Sequence, residues 1–128
     1  AIQAGDLVQL TAADPLPVIT VGDFNSDARG TTTDTYADIL IPGGLVDVWN
    51  VVNPNNPGLT GSQQEDLLNA STLSKRIDLI FVRGSDDLSS LKADVVGDDE
   101  AARTPSGLWP SDHAGVTASI RLPSFKPF

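Results

Sequence analysis

An α/β fold, with helices layered against a sheet, is what this sequence predicts. Three observations carry the expectation: β-branched, strand-length runs at 18–21 and 77–83, helical patterns at 1–13 and 34–41, and clusters of Pro, Gly and Asn at the changeovers. The chain has 128 residues, 40% of them hydrophobic, so a single domain spanning 1–128 with a modest core is expected.

The elements follow in order. In 1–13, Ile2, Leu7, Val8 and Leu10 form a passable helical face that reads as the end of a longer helix. Asp14-Pro15 closes it, because a residue before proline is pushed out of the helical region. The run 18–21 reads as a strand buried on both faces, ended by Gly22, which lets the backbone turn sharply. A second helix is expected over 34–41, with Thr33 or Asp34 as N-cap and Pro42-Gly43-Gly44 as its stop. Residues 45–52 are apolar with Asp47 and Trp49 alternating, which suits a short strand or a tight helix. The two prolines, two glycines and three asparagines of 53–62 make that stretch loop. A clear strand follows at 77–83, then the turn Gly84-Ser85-Asp86-Asp87, and further strands at 91–96 and 116–122. The 97–110 stretch between those two is acidic and then loop-like.

Charge narrows the partners. Eight basic and 17 acidic side chains give a net charge of −9, which repels a polyanion such as a nucleic acid backbone. A phosphate substrate would have to be recruited by a bound metal or by another part of the protein. No cysteine is present, which excludes disulfides and thiolate metal sites. The compartment stays open, an extracellular or periplasmic one being preferred. No apolar run approaches the ~18 residues of a membrane span, and no signal-peptide core is present. The chain starts at Ala1 and contains no methionine, so it reads as a processed or cut piece of a longer protein.

Three short segments carry the chemistry. Asp23 and Asn25 sit just past a strand end, where open α/β sheets place ligands. The carboxylate can orient a water or a metal and the carboxamide can donate to a phosphoryl oxygen; the plain alternative is an Asx turn that only caps the loop. Asp78 lies in an apolar strand and needs a partner, either Arg76 at the same strand parity or His113, the only histidine. Ser111-Asp112-His113 precedes the last strand. There Asp112 suits a hard cation and His113 a phosphate contact or a base, against the alternative of an ordinary histidine. Trp109 either walls this site or packs. Other chemistries lack support: there is no glycine-rich phosphate loop and no Gly-x-Ser-x-Gly elbow. A serine or carboxylate hydrolase would rest on Ser111 and His113 alone, and Asp98-Asp99-Glu100 lacks calcium-loop spacing.

Gly22-Asp23-Phe24-Asn25, Arg76-Ile77-Asp78-Leu79-Ile80-Phe81 and Ser111-Asp112-His113 resemble the late motifs of the endonuclease/exonuclease/phosphatase superfamily, with Leu79 where the family has an aromatic residue. The resemblance implies half of a four-layer α/β sandwich, its C-terminal half, with a mixed, mostly antiparallel sheet and flanking helices. It implies a metal-dependent phosphoester hydrolase, phosphodiesterase or nuclease-like, using Mg²⁺ (or Mn²⁺ or Ca²⁺). Asp23 would orient or deprotonate the attacking water, and Asn25 would contact the phosphoryl group. Asp78 would pair with His113, which binds phosphate or moves a proton. Asp112, with Asp23 and Asn25, would supply metal ligands. The family's metal-binding glutamate, an early asparagine and a second histidine come from an N-terminal half that this chain lacks. The expectation is therefore a weakly active or inactive fragment whose exposed sheet face, around Ile19 and Ile80, pairs with that half or with a second copy. The alternative is a non-catalytic binding or scaffold module that retains the fold.

Overall fold

The computed structural model describes residues 2–85 and 92–122, and its architecture is organised by one strand. β3 (Asp78–Arg83) is the middle strand of a three-stranded antiparallel sheet, flanked by β1 (Val18–Asp23) and β2 (Val46–Asp47). Its Leu79-Ile80-Phe81-Val82 run has no polar residue, so both of its faces must be covered, and all four side chains are buried. Side chains alternate across a strand. Leu79 and Phe81 therefore enter one core, with Leu40 and Leu45, while Ile80 and Val82 enter another with Val48.

Helix α1 (Ile2–Ala12) covers the first core. Its inward stripe is Ala4, Leu7 and Val8, at spacings of three and four residues that bring side chains to one face. Ile2 and Leu10, expected on that face, are exposed instead. Phe24 meets Phe81 edge to face at 5.1 Å, extending this core beneath the loop that follows β1. A π-helical turn (Tyr36–Leu40) replaces the expected 34–41 helix, with Thr35 at its N-cap and no side-chain cap bond. Gly43 lets it approach α1: a methyl group there would collide with Val8 and the Ile39 carbonyl.

Helix α2 (Val48–Val52) and the hairpin of β4 (Lys92–Val96) and β5 (Gly115–Ser119) cover the second core. The 45–52 segment is thus strand and helix in succession, with Asp47 as the hinge: its carboxylate caps α2 by accepting from Asn50 N at 3.3 Å. Asn53, just past α2, donates to the Ala93 carbonyl and ties the helix to the hairpin. The acidic 98–100 stretch leads into a 3₁₀ turn (Glu100–Ala102) capped by Asp99. The last strand ends at Ser119 rather than 122, where its pairing with β4 runs out. The turn at 84–87 and the strand start at Leu91 fall partly outside the described residues, at Asp86, Asp87 and Leu91. No helix among the described residues is long and apolar enough to cross a membrane.

Helices flanking antiparallel sheets give the mixed α/β class expected from sequence. The burial of β1 does not follow expectation. Val18 and Thr20 are half-buried, but Ile19 and Val21 are 43% and 67% exposed. β1 is an edge strand, and among the described residues nothing covers its Ile19–Val21 face. Ile80, one strand further in, is buried by α2 and the hairpin.

Buried polar groups fasten the sheet to its loops. The Arg76 guanidinium reaches Asp47 Oδ2 at 2.6 Å, with both side chains almost fully buried. The Tyr36 hydroxyl donates to the same oxygen at 2.6 Å. Arg76 therefore pairs with Asp47, not with Asp78 two residues along; it precedes β3, so strand parity does not set its direction. Removing one partner of a buried pair leaves an uncompensated charge. Asp47→Asn should accordingly lower unfolding free energy by about 3–5 kcal/mol, measured by urea denaturation at neutral pH. Burial first, and then the Asp47 carboxylate, push the Tyr36 phenol up to about 12. The unfolded chain releases that proton near pH 10. The stability contributed by Tyr36 is therefore complete below about pH 10 and is lost as pH rises toward about 12. Tyr36→Phe should remove this alkaline slope from stability curves, and titration of the wild type at 295 nm should show one late-ionising phenol.

Candidate active site

The antiparallel register puts the last residue of β1 opposite the first residue of β3, so Asp23 and Asp78 are direct partners. Two carboxylates placed this way repel, and each is held by a different donor set. Both Asp23 oxygens face Asn25: Oδ1 accepts from its backbone N–H at 2.8 Å and Oδ2 from Nδ2 at 3.1 Å. The Asx turn is therefore present. It leaves one Nδ2 proton and the Oδ1 oxygen of Asn25 for a ligand. Asn25 adopts the left-handed conformation at φ 49°, which asparagine tolerates better than most residues.

The loop after Asn25 is anchored internally. Ser26 Oγ accepts from Thr33 Oγ1 and from Tyr36 N. Asp27, wholly buried, accepts from the backbone N–H groups of Arg76 and Arg29 and from the Thr31 hydroxyl. Burial alone would raise the Asp27 carboxyl, but those hydrogen bonds and the Arg29 charge prevail and hold it below the usual carboxylate range.

On the other side of the site, His113 Nδ1 lies 2.8 Å from Asp78 Oδ2. Asp78 thus sits at the mouth of β3 rather than inside it, partly accessible, with His113 as its hydrogen-bonding partner. With Nδ1–H donated to the carboxylate, Nε2 is the ring atom left to meet a substrate. His113 is not carried there by β5, which begins two residues later. Backbone bridges join Gly61 to both Lys75 and His113. Gly61 packs closely here: a methyl group would lie 2.7 Å from Ile77 Cδ1, so the end of that side chain would have to shift. Gln63 N donates to the Asp112 carbonyl at 3.0 Å.

The structure thus brings Asp23, Asn25, Asp78 and His113 together at one end of the sheet. Asp112 is adjacent in sequence, but its side chain is exposed and, among the described residues, accepts only from Ser111 Oγ, at 3.2 Å. Ser111 Oγ in turn accepts the His113 backbone N–H, and among the described residues no hydrogen bond joins it to the imidazole ring, so no serine–histidine nucleophile pair is formed. Trp109 packs: it is buried, donates to the Asn69 carbonyl at 2.9 Å and stacks under Arg103 at 4.2 Å. Among the described residues no three His, Cys, Asp or Glu side chains lie close enough to hold a metal. A cavity of about 340 Å³ opens beside Asp23 and Asn25, walled by Leu7, Phe24 and Thr35.

The sequence matches the Endonuclease/Exonuclease/phosphatase family over residues 1–113. The chain belongs to that family. The match runs through Asp23, Asn25, Asp78 and Asp112 and ends on His113. Members of the family are generally hydrolytic, which makes this a phosphoesterase or nuclease-like fold. No curated protein matches the chain, and no solved structure does.

Sequence reasoning missed Asp27, Asp47 and the 60–63 segment. Asp47 could have been found as the one carboxylate in an apolar run, since such a group needs a buried partner. Asp27 and Thr60 lie among turn residues and carry no such signal. Asp27 also has a checkable consequence. Its depressed pKa contributes stability that is present above the ordinary carboxylate range and is lost as pH falls through and below it. Asp27→Asn should flatten the acid limb of the stability curve, read as urea midpoints between about pH 2.5 and 5.

Proposed function

We propose that this chain carries the reaction machinery of a metal-dependent phosphoester hydrolase, of phosphodiesterase or nuclease-like type. The observation that supports it most is the 2.8 Å Asp78–His113 pair set beside the Asp23–Asn25 turn. In this reading Asp23 orients or deprotonates the attacking water and the remaining Asn25 N–H donates to a phosphoryl oxygen. Nε2 of His113 binds the phosphate or hands a proton to the departing oxygen. Asp78 keeps the ring oriented and stabilises its charged form.

Mg²⁺ commonly keeps several waters and takes one or two carboxylates plus substrate phosphates, and Asp23, Asn25 and Asp112 are the residues that would supply such a partial shell. When bound, Mg²⁺ (or Mn²⁺ or Ca²⁺) supplies positive charge at the phosphoryl oxygens and acidifies a ligated water. The rest of the shell would come from a second part of the same domain or from a second copy of the chain. The exposed Ile19–Val21 face of β1 supports a partner of that kind. The net charge of −9 favours a phosphate ester recruited by metal over a nucleic acid drawn in by surface charge.

Hydrolysis of bis(p-nitrophenyl) phosphate tests this reading. We expect slow turnover that requires Mg²⁺, stops with EDTA, and falls by about 10²–10⁴-fold in His113→Ala. Turnover indifferent to EDTA would remove the metal from the mechanism, and turnover indifferent to His113→Ala would remove this site. No turnover with any metal or phosphodiester, by this chain or by a longer protein containing it, would favour the binding-module alternative.

A further inference from the structure

We propose that Thr60 is a positioning residue for the Asp78–His113 pair, an inference that rests on the reading of that pair as reaction machinery. Thr60 is fully buried, yet lies in a loop of Asn, Pro and Gly. Its hydroxyl oxygen accepts from the backbone N–H groups of Ile77, at 3.3 Å, and Asp78, at 3.1 Å. A hydroxyl has two lone pairs, so this use saturates it as an acceptor. Its own N–H donates to the Lys75 carbonyl at 2.8 Å, and its carbonyl accepts from Ala114 N at 2.7 Å.

The side chain of Thr60 therefore grips the backbone that carries Asp78, and its main chain grips the residue next to His113. Asp78 and His113 are 35 residues apart in sequence. Strand pairing does not join their backbones: β3 pairs with β1 and β2, while β5 pairs with β4. Thr60 and the neighbouring Gly61 bridge to His113 span the gap. The carboxylate–imidazole distance is thus set by a hydroxyl that touches neither side chain. Errors of about 1 Å at a reacting group can cost on the order of 10²-fold in rate, so loss of this hydroxyl should be felt in the chemical step.

The test compares Thr60→Ser, which keeps the hydroxyl, with Thr60→Val, which keeps the shape and loses both acceptor positions. The first readout is the imidazole NMR of His113, as tautomer and pH titration, with Asp78→Ala as reference for a ring without its carboxylate. The second is kcat for bis(p-nitrophenyl) phosphate with Mg²⁺. Thr60→Ser should keep the wild-type titration and rate. Thr60→Val should retain a dispersed amide spectrum, move the His113 titration toward that of Asp78→Ala, and lower kcat by about 10–100-fold with KM little changed. If Thr60→Val does not fold, Thr60→Cys, a close fit with a weaker acceptor, is read the same way. A folded Val or Cys variant whose His113 titration matches the wild type overturns the proposal. Because the titration needs no turnover, an inactive wild type would count against the hydrolase reading, while the His113 titration would still decide the role of Thr60.

Discussion

Arg76 and Asp47 meet at 2.6 Å with both side chains nearly out of water, and the end of the sheet that bears the candidate site is assembled around that contact. Asp47 is shared: one oxygen takes the guanidinium and the Tyr36 hydroxyl, the other caps α2. Arg76 is shared as well. Its backbone N–H goes to Asp27 and its carbonyl accepts from Ala28, so the loop that follows Asn25 is fixed to the residue just before Ile77 and Asp78. Two buried charges are costly unless geometry and further hydrogen bonds compensate, and here both Asp47 oxygens, the Tyr36 hydroxyl and the Arg76 backbone N–H and carbonyl are engaged. The compensation couples α2, the π-helical turn, the Asn25 loop and β3 into one unit.

That unit holds a locally unfavourable arrangement. Asp23 opposite Asp78 is a like-charge cross-strand pair. Each carboxylate is held by its own donors, Asp23 by Asn25 and Asp78 by His113, so the repulsion is distributed rather than relieved. Such a pair attracts positive charge, and in a phosphate-binding site the ion that would satisfy it is also the one that would neutralise the phosphate.

The uneven covering of the sheet follows from the same layout. β3 lies at the centre, and α1, α2 and the β4–β5 hairpin all converge on it, leaving β1 covered on only one face. Ile19 and Val21 have the β-branched character of buried strand residues but stand in water here. An exposed hydrophobic pair on an edge strand leaves apolar area that burial elsewhere in the sheet does not reach.

Hydrophobic period and the punctuation by Pro, Gly and Asn are local signals, so the α/β class and most strand and turn positions were legible before folding. The residues with the right chemistry were legible too: Asp23, Asn25, Asp78 and His113 announce themselves as polar groups at the ends of apolar runs. Their partners were not. Arg76 had two carboxylates to choose from, and the choice of Asp47 depends on how β2 and α2 pack against β3. The burial of β1 depended on what lies across the sheet, which strand propensity does not encode. The part played by Thr60 was invisible because a buried hydroxyl and an exposed loop hydroxyl look alike in sequence. What separates them is the approach of two backbone N–H groups, those of Ile77 and Asp78, and that proximity exists only once the chain has folded.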